Sequence, residues 1–180
     1  MKATGIVRRI DDLGRIVIPK EIRRTLHIRE SDPLEIFTDR EGEIILKKYS
    51  PIGEMNHFAR QYAESLAQVS GFTALITDRD QFIAAAGGAK NMAGKAISKE
   101  LENKIENRES LMAAKGDSRF IMLSAEDNEE FMLEAIQPII CEGDVIGAVI
   151  LAGGDGKKAM GEVEQKLLQS AAGFLGRQME

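Results

Sequence analysis

Residues 1–28 read MKATGIVRRIDDLGRIVIPKEIRRTLHI, and residues 32–49 continue DPLEIFTDREGEIILKKY. The first run predicts strand, loop, strand and short helix. The second predicts strand, turn and strand, with Arg40-Glu41-Gly42 as the turn. Pro19 suits the first turn of the helix, where its missing N–H costs nothing. On that helix Ile22 and Leu26 lie four apart and are expected to face inward, with Arg23 and Arg24 facing elsewhere. A segment of about fifty residues buries too little apolar surface to be comfortably stable alone. It carries no cysteine and no metal-ligand set, so oligomerisation is the remaining device. Ile6, Ile10, Ile16, Ile18, Ile22, Leu26, Ile28, Leu34, Ile36, Ile44 and Leu46 are candidates for a core shared by two chains.

Charge separates this segment from the rest. Residues 1–29 hold eight Lys/Arg against three Asp/Glu, residues 30–50 three against six, and residues 51–180 hold 13 against 20, within a chain of net charge −5. Cations that displace counterions from phosphates supply most of the affinity for nucleic acid, so a polyanion is one reading of Arg8, Arg9, Arg15, Arg23 and Arg24. A solvated basic face fits the charge pattern equally well. The chain has 180 residues, is 43% hydrophobic and has one cysteine, Cys141. These values point to a globular protein of one or two domains without a disulfide framework or a cysteine zinc site. The start MKATGIVRR has no apolar run behind it, as a secretory signal needs, and no apolar stretch approaches membrane-spanning length. A cytoplasmic protein is expected, with no membrane partner.

The boundary between domains is expected near Tyr49-Ser50-Pro51-Ile52-Gly53, giving domains 1–50 and 51–180. Ile52, Met55, Phe58, Tyr62, Leu66 and Val69 form one stripe on a predicted helix that Gly71 stops. FTALITD (72–78) and QFIAAAG (81–87) predict a hairpin around Arg79-Asp80, and 98–108 a helix. RFIMLSA (119–125) and EFMLEAIQPII (130–140) read as strands either side of an acidic loop at 126–130. Glu142-Gly143-Asp144 turns into VIGAVILAGG (145–154). Val163, Leu167, Ala171, Phe174 and Leu175 mark a closing amphipathic helix. Hairpin-joined strands imply an antiparallel sheet with helices laid on it, and the class is α+β.

The runs quoted for residues 1–28 and 32–49 closely resemble the AbrB-like transition-state regulators. The order of elements after residue 51 resembles a GAF domain, most closely in GDVIGAVILAGG and MGEVEQKLLQSAAGFLGRQME. The resemblance implies a swapped-hairpin dimer that binds double-stranded DNA, followed by a domain with a central antiparallel sheet and flanking helices. In the family the arginines of strand and loop face DNA, which here correspond to Arg8, Arg9, Arg15, Arg23 and Arg24. Lys2 is a weaker candidate. Two copies of the set bring about ten cations to one face, and arginine forks fit phosphates or the edge of guanine. His27 stands where the family usually has glycine. An AbrB-like segment followed by a GAF-like one is similar to regulators of late spore development, which implies activation and repression of genes in the forespore. The helices at 52–70 and 159–179 are expected to bring dimers together, to a tetramer. The same swapped-hairpin fold serves antitoxins, so a protein partner is the alternative; the strand and helix content after residue 51 argues against a disordered toxin-binding tail.

Other constellations carry less. Asp11-Asp12 are expected as turn residues or arginine partners rather than metal ligands. His27 and His57 lack a second ligand at fitted spacing, and Cys141 reads as a buried small hydrophobe. No set offers a nucleophile, a base and an orienting group together, so no catalytic residue, no metal and no enzymatic activity are expected. Ala89 and Ala96 break the phosphate-loop pattern around Gly94-Lys95, and Gly153–Lys157 lacks the dinucleotide spacing and reads as a turn. A GAF-like pocket is expected over Leu75, Ile76, Ile83, Met122, Ile136 and Ile150, covered by 84–97. Its polar groups are not legible, the cyclic-nucleotide signature is not evident, and no cysteine is placed for a bilin or haem. An unidentified small molecule and a purely oligomerising role both fit.

Overall fold

The computed structural model describes residues 5–126, 131–154 and 159–179. Lys2, most of the acidic run 126–130 and Asp155–Lys157 of the second glycine cluster lie outside the described residues. The chain forms two compact units, Met1–Tyr49 and Ser50–Glu180.

The N-terminal unit contains α1 (Lys20–Thr25) and a hairpin of β1 (Leu34–Thr38) and β2 (Ile44–Lys48), with Ile36 opposite Leu46. The hairpin turn is tied by Asp39, whose Oδ1 accepts the backbone N–H groups of Glu41 and Glu43 at 3.0 and 2.8 Å. Gly42 takes the left-handed φ of 83° that closes it. No strand falls within residues 5–19, where the sequence predicts two. A strand exists only with a partner ladder, and here the chain supplies only the loop closure between Asp11 and Arg15. None of the eleven candidates for a shared core is buried within one chain. Val7 is 85% exposed and Val17 71%. Leu26, predicted to face inward, is 58% exposed, while Ile22 beside it is half-buried.

The C-terminal unit starts on a capped helix. Ser50 Oγ accepts from the Gly53 backbone N–H at 3.1 Å and donates to Asp78 Oδ2 at 3.0 Å, with Pro51 leading α2 (Pro51–Glu54). Pro51 and Gly53 therefore sit in a first helical turn rather than in a linker. The single predicted helix is two: α2 ends at Met55, whose ψ of 28° breaks the path, and α3 (Asn56–Ser70) follows. Gly71 caps α3 at φ 71°, donating to Ala67 O at 2.8 Å.

The sheet contains β3 (Thr73–Thr77), β4 (Phe82–Ala86), β5 (Leu111–Ala114), β6 (Leu133–Cys141) and β7 (Asp144–Gly153) in the order β4-β3-β7-β6-β5, with every neighbouring pair antiparallel. Glu142 and Gly143, at φ 48° and 89°, make the β6–β7 turn. The segment 119–125 is not a strand; it holds one isolated bridge, Ser124 to Ile97. Its donors go instead to carboxylates: Ile121 N–H to Glu134 Oε1 and Met122 N–H to Glu100 Oε2, both at 2.8 Å. The edges of the sheet are β4 and β5, and hydrophobic patterning does not single out β5.

Both sheet faces are covered. On one, Ile76, Ile83, Val149, Leu151 and Ile139 pack beneath α3 and α5 (Glu162–Arg177). On the other, Leu75, Ile136 and Ile150 pack with Phe82, Met92 and with Leu101 and Ile105 of α4 (Lys99–Glu106). Ile76 and Ile83 thus lie on the face opposite the predicted pocket, because the two-residue period of a strand sends Leu75 and Ile76 to different sides. Between α3 and α5, Tyr62 stacks on Phe174 at 5.6 Å, and Phe58 joins both rings. Cys141, buried and outside any disulfide among the described residues, ends β6.

Gly176 on α5 is pressed against β6: a Cβ there would stand 2.1 Å from Ile140 O. Alanine adds helix propensity worth about 1 kcal/mol, but the collision forces helix and strand apart. Gly176→Ala is expected to lower the unfolding free energy by about 1–3 kcal/mol, read as an earlier urea midpoint; a later midpoint contradicts the packing described.

Candidate nucleic-acid interface and a cavity with a buried carboxylate

In the N-terminal unit, Arg8, Arg9, Arg15 and Arg24 are exposed. Arg23 is half-buried, and its Nε has no hydrogen-bond partner. Sequence reasoning places Arg23 and Arg24 alike on an outward face; the structure separates them. Arg15 ends a loop organised by Asp11. The Asp11 carboxylate accepts the backbone N–H groups of Leu13 and Arg15 at 3.0 and 2.8 Å and the Arg15 Nε–H at 2.8 Å. These bonds, the Arg15 backbone N–H foremost and its guanidinium next, hold the Asp11 carboxyl below its usual range. Asp11 thus serves both as turn residue and as arginine partner. Gly14, at φ 76°, completes the loop.

Helix α1 ends in a Schellman motif: Ile28 N–H donates to Arg23 O at 2.8 Å and His27 N–H to Arg24 O at 3.4 Å. His27 takes the left-handed position at φ 51°, as a residue standing in a glycine place must. Behind it, Lys48 Nζ donates to His27 O at 2.8 Å and pairs with the buried Asp32 carboxylate at 3.3 Å. Neither histidine joins a metal-like cluster. The one acidic group of that kind among the described residues, Asp39, Glu41 and Glu43, is the hairpin turn already described.

In the C-terminal unit, a cavity of about 190 Å³ opens between the sheet and the segment 119–126. Its wall includes Met92, Phe120, Ile121, Met122, Leu123 and Phe131, with Lys115, Ser124, Glu126 and Glu134 as its polar members. Of the predicted pocket residues Met122 lines it and Met92 comes from the predicted cover; Leu75, Ile136 and Ile150 form the core of that sheet face. Sequence reasoning missed Glu134. It stands on β6 with Ala113 and Ala152 opposite it in register, and it is 0% exposed. Its signal was visible: a lone acid inside the apolar run FMLEAIQPII. Glu134 Oε1 accepts from Ile121, while Oε2 has no hydrogen-bond partner. Burial pushes its pKa up from 4.5 to about 7, with the Ile121 N–H opposing and the Glu100 charge adding.

With this geometry in place, known proteins can be compared. Residues 54–180 match the family described as "Stage V sporulation protein T C-terminal, transcription factor". The chain belongs to the stage V sporulation protein T family. It is 53% identical over 181 residues to stage V sporulation protein T of Bacillus subtilis (strain 168), spanning 100% of this chain and 99% of that protein. Residues 7–54 match the family described as "Antidote-toxin recognition MazE, bacterial antitoxin". The N-terminal segment is also 67% identical over 51 residues to transition state regulatory protein AbrB of the same organism, covering 28% of this chain and 52% of that one. The AbrB-like resemblance of the first segment is therefore a relationship by sequence. The GAF domain of an Acinetobacter phosphoenolpyruvate-protein phosphotransferase superposes with a TM-score of 0.58 at 13% identity, covering 74% of this chain and 84% of that one. This likeness establishes the GAF fold of the second unit. Members of the stage V sporulation protein T family are transcription factors, and the α+β architecture with its AbrB-like and GAF-like parts is that of this chain.

Two measurements follow. Between pH 4.5 and about 7 the unfolded chain releases the Glu134 proton while the folded chain keeps it, so this group's contribution to stability falls as pH rises through that window. Glu134→Gln removes the term: the wild type is expected to lose about 3 kcal/mol relative to the variant between about pH 4.5 and about pH 8, flattening above about 7, by urea unfolding at a series of pH values. Separately, His27→Gly relieves left-handed strain and is expected to stabilise the N-terminal unit by about 1 kcal/mol, read from amide exchange of α1.

Proposed function

We propose that this chain regulates transcription by gripping double-stranded DNA with a pair of its N-terminal units, through Arg8, Arg9, Arg15, Arg23 and Arg24. The observation that carries the reading is the coincidence, on residues 5–28, of exposed arginines with apolar side chains that find no burial within one chain. Pairing two such units by hairpin exchange supplies the absent core and doubles the cationic set. The AbrB-related sequence of this segment supports the same arrangement. Phosphate contacts set the position on DNA and a smaller number of base contacts select sequence. The half-buried Arg23 suits a geometrically fixed contact, and the exposed Arg8, Arg9 and Arg24 suit phosphates.

The C-terminal unit joins dimers into a tetramer through α3 and α5, raising the effective concentration of DNA-binding units at paired sites. Val69 on α3 and Val163 on α5, both largely exposed, and the Phe58–Tyr62–Phe174 cluster support that role. The same unit senses a small molecule in the cavity beside Glu134. The protein works in the cytoplasm of the developing spore, as its relationship to a sporulation protein supports, and does no chemistry on its ligand. No helix among the described residues is long and apolar enough to cross a membrane. A toxin-binding reading draws on the antitoxin-family match at residues 7–54. The folded unit that follows, where an antitoxin of that plan needs a toxin-binding tail, weighs against it.

Fluorescence anisotropy with promoter DNA tests the grip. Arg8→Ala and Arg24→Ala are expected each to weaken binding about tenfold and to flatten the dependence of log K on log salt by about 1 for each phosphate no longer neutralised. Light scattering should show the assembly unchanged. Wild-type affinity and salt slope in both variants reject the assignment.

A further inference from the structure

We propose that the cavity of the C-terminal unit takes a small organic cation, an ammonium or amidinium on an apolar body, whose N–H donors bond the free oxygen of Glu134. The inference rests on the sensing role proposed above and names the chemistry of what is sensed.

The cavity floor poses an unsolved hydrogen-bonding problem. Glu134 is fully buried, one oxygen is held by Ile121 N–H at 2.8 Å, and the other meets no donor. Buried polar atoms are almost always paired, so the orphan oxygen of a residue that lines the cavity calls for a partner. Its lateral neighbours in register, Ala113 and Ala152, are too short to fill the space above the strand. The charge of the surroundings selects the partner's sign. Glu126 and Glu134 line the cavity and Glu100 holds the Met122 backbone behind it, three carboxylates against the ammonium of Lys115. The aromatic rings of Phe120 and Phe131 line the cavity and can offer a π surface to a cation, and Met92 and Met122 add adaptable apolar surface. A volume of about 190 Å³ holds about six waters, or one compact organic molecule of about ten non-hydrogen atoms. A cation that binds the ionised carboxylate also opposes the burial that now favours its protonation, so binding tightens as pH rises through about 7.

Three phenyl probes decide it on the full chain carrying ¹³C-methyl methionine: phenethylamine, its isostere 2-phenylethanol and the slightly larger anion 3-phenylpropanoate. Phenethylamine is expected to shift the Met92 and Met122 methyl signals saturably, at least about tenfold more tightly than 2-phenylethanol, with no saturation by 3-phenylpropanoate. Glu134→Gln should erase the preference for the amine. In the wild type, amine affinity should rise about tenfold between about pH 6 and about pH 8. Should the variant fail to fold, that pH series stands in its place, and a flat series overturns the proposal. Equal or tighter binding by the alcohol or the carboxylate overturns the cation but leaves a sensing cavity. No movement of either methyl signal with any probe at about 10 mM overturns both the cation and the sensing role, while the DNA-binding assignment stands on its own titration.

Discussion

The five-stranded sheet is covered on both faces, and that double covering governs the C-terminal unit. Central strands buried on two sides must be apolar at nearly every position, as Ala74, Leu75 and Ile76 on β3 and Ala148 to Ala152 on β7 are. Helices then have to approach closely, and close approach calls for small residues. Gly147 on β7 shows the same constraint as Gly176: a Cβ there would lie 1.9 Å from Thr77 O on the neighbouring strand. Against this background one charged side chain on β6 is conspicuous; Thr77, a buried polar neighbour on that sheet face, is uncharged. The cost of burying it is offset in part by one backbone donor from the segment that roofs the cavity, the Ile121 N–H.

The N-terminal unit obeys the opposite arithmetic. It carries a run of apolar residues, Val7, Ile10, Leu13, Ile16 and Val17, that stand exposed. Its local structure is settled by polar devices instead: an aspartate that organises each of two turns, a Schellman cap on α1 and the Lys48–Asp32 pair. These fix the shapes of short pieces and leave their apolar faces exposed.

Much of this was legible in the sequence. The hairpins β1–β2, β3–β4 and β6–β7 and the helices α3, α4 and α5 follow from periodicity and from Gly and Pro placement. Gly71 and the Glu142-Gly143 turn follow from backbone chemistry. What stayed hidden has a common cause: it depends on partners distant in sequence. LMAA at β5 is too short and too weakly patterned to announce an edge strand. RFIMLSA has the composition of a strand but loses its donors to Glu134 and Glu100. The split of α2 from α3 at Met55 leaves the apolar stripe undisturbed, so periodicity cannot show it. The arginines were visible as a set, but their separate environments, Arg15 on Asp11 and Arg23 partly enclosed, arise only from folding. Glu134 was in view as an acid among apolar residues, and only the register that puts alanines beside it turns that oddity into a cavity wall.

The bond from Arg15 to Asp11 has a bearing on recognition. A free arginine on a surface surrenders its rotamer freedom when it meets a ligand, and the loss subtracts from affinity. Arg15 has already surrendered part of it on folding, since its Nε is held by a carboxylate that is itself fixed by two backbone bonds. The terminal guanidinium nitrogens are the part of the fork that this bond leaves for a second acceptor. The loop therefore presents a cation already ordered in part before any second acceptor arrives.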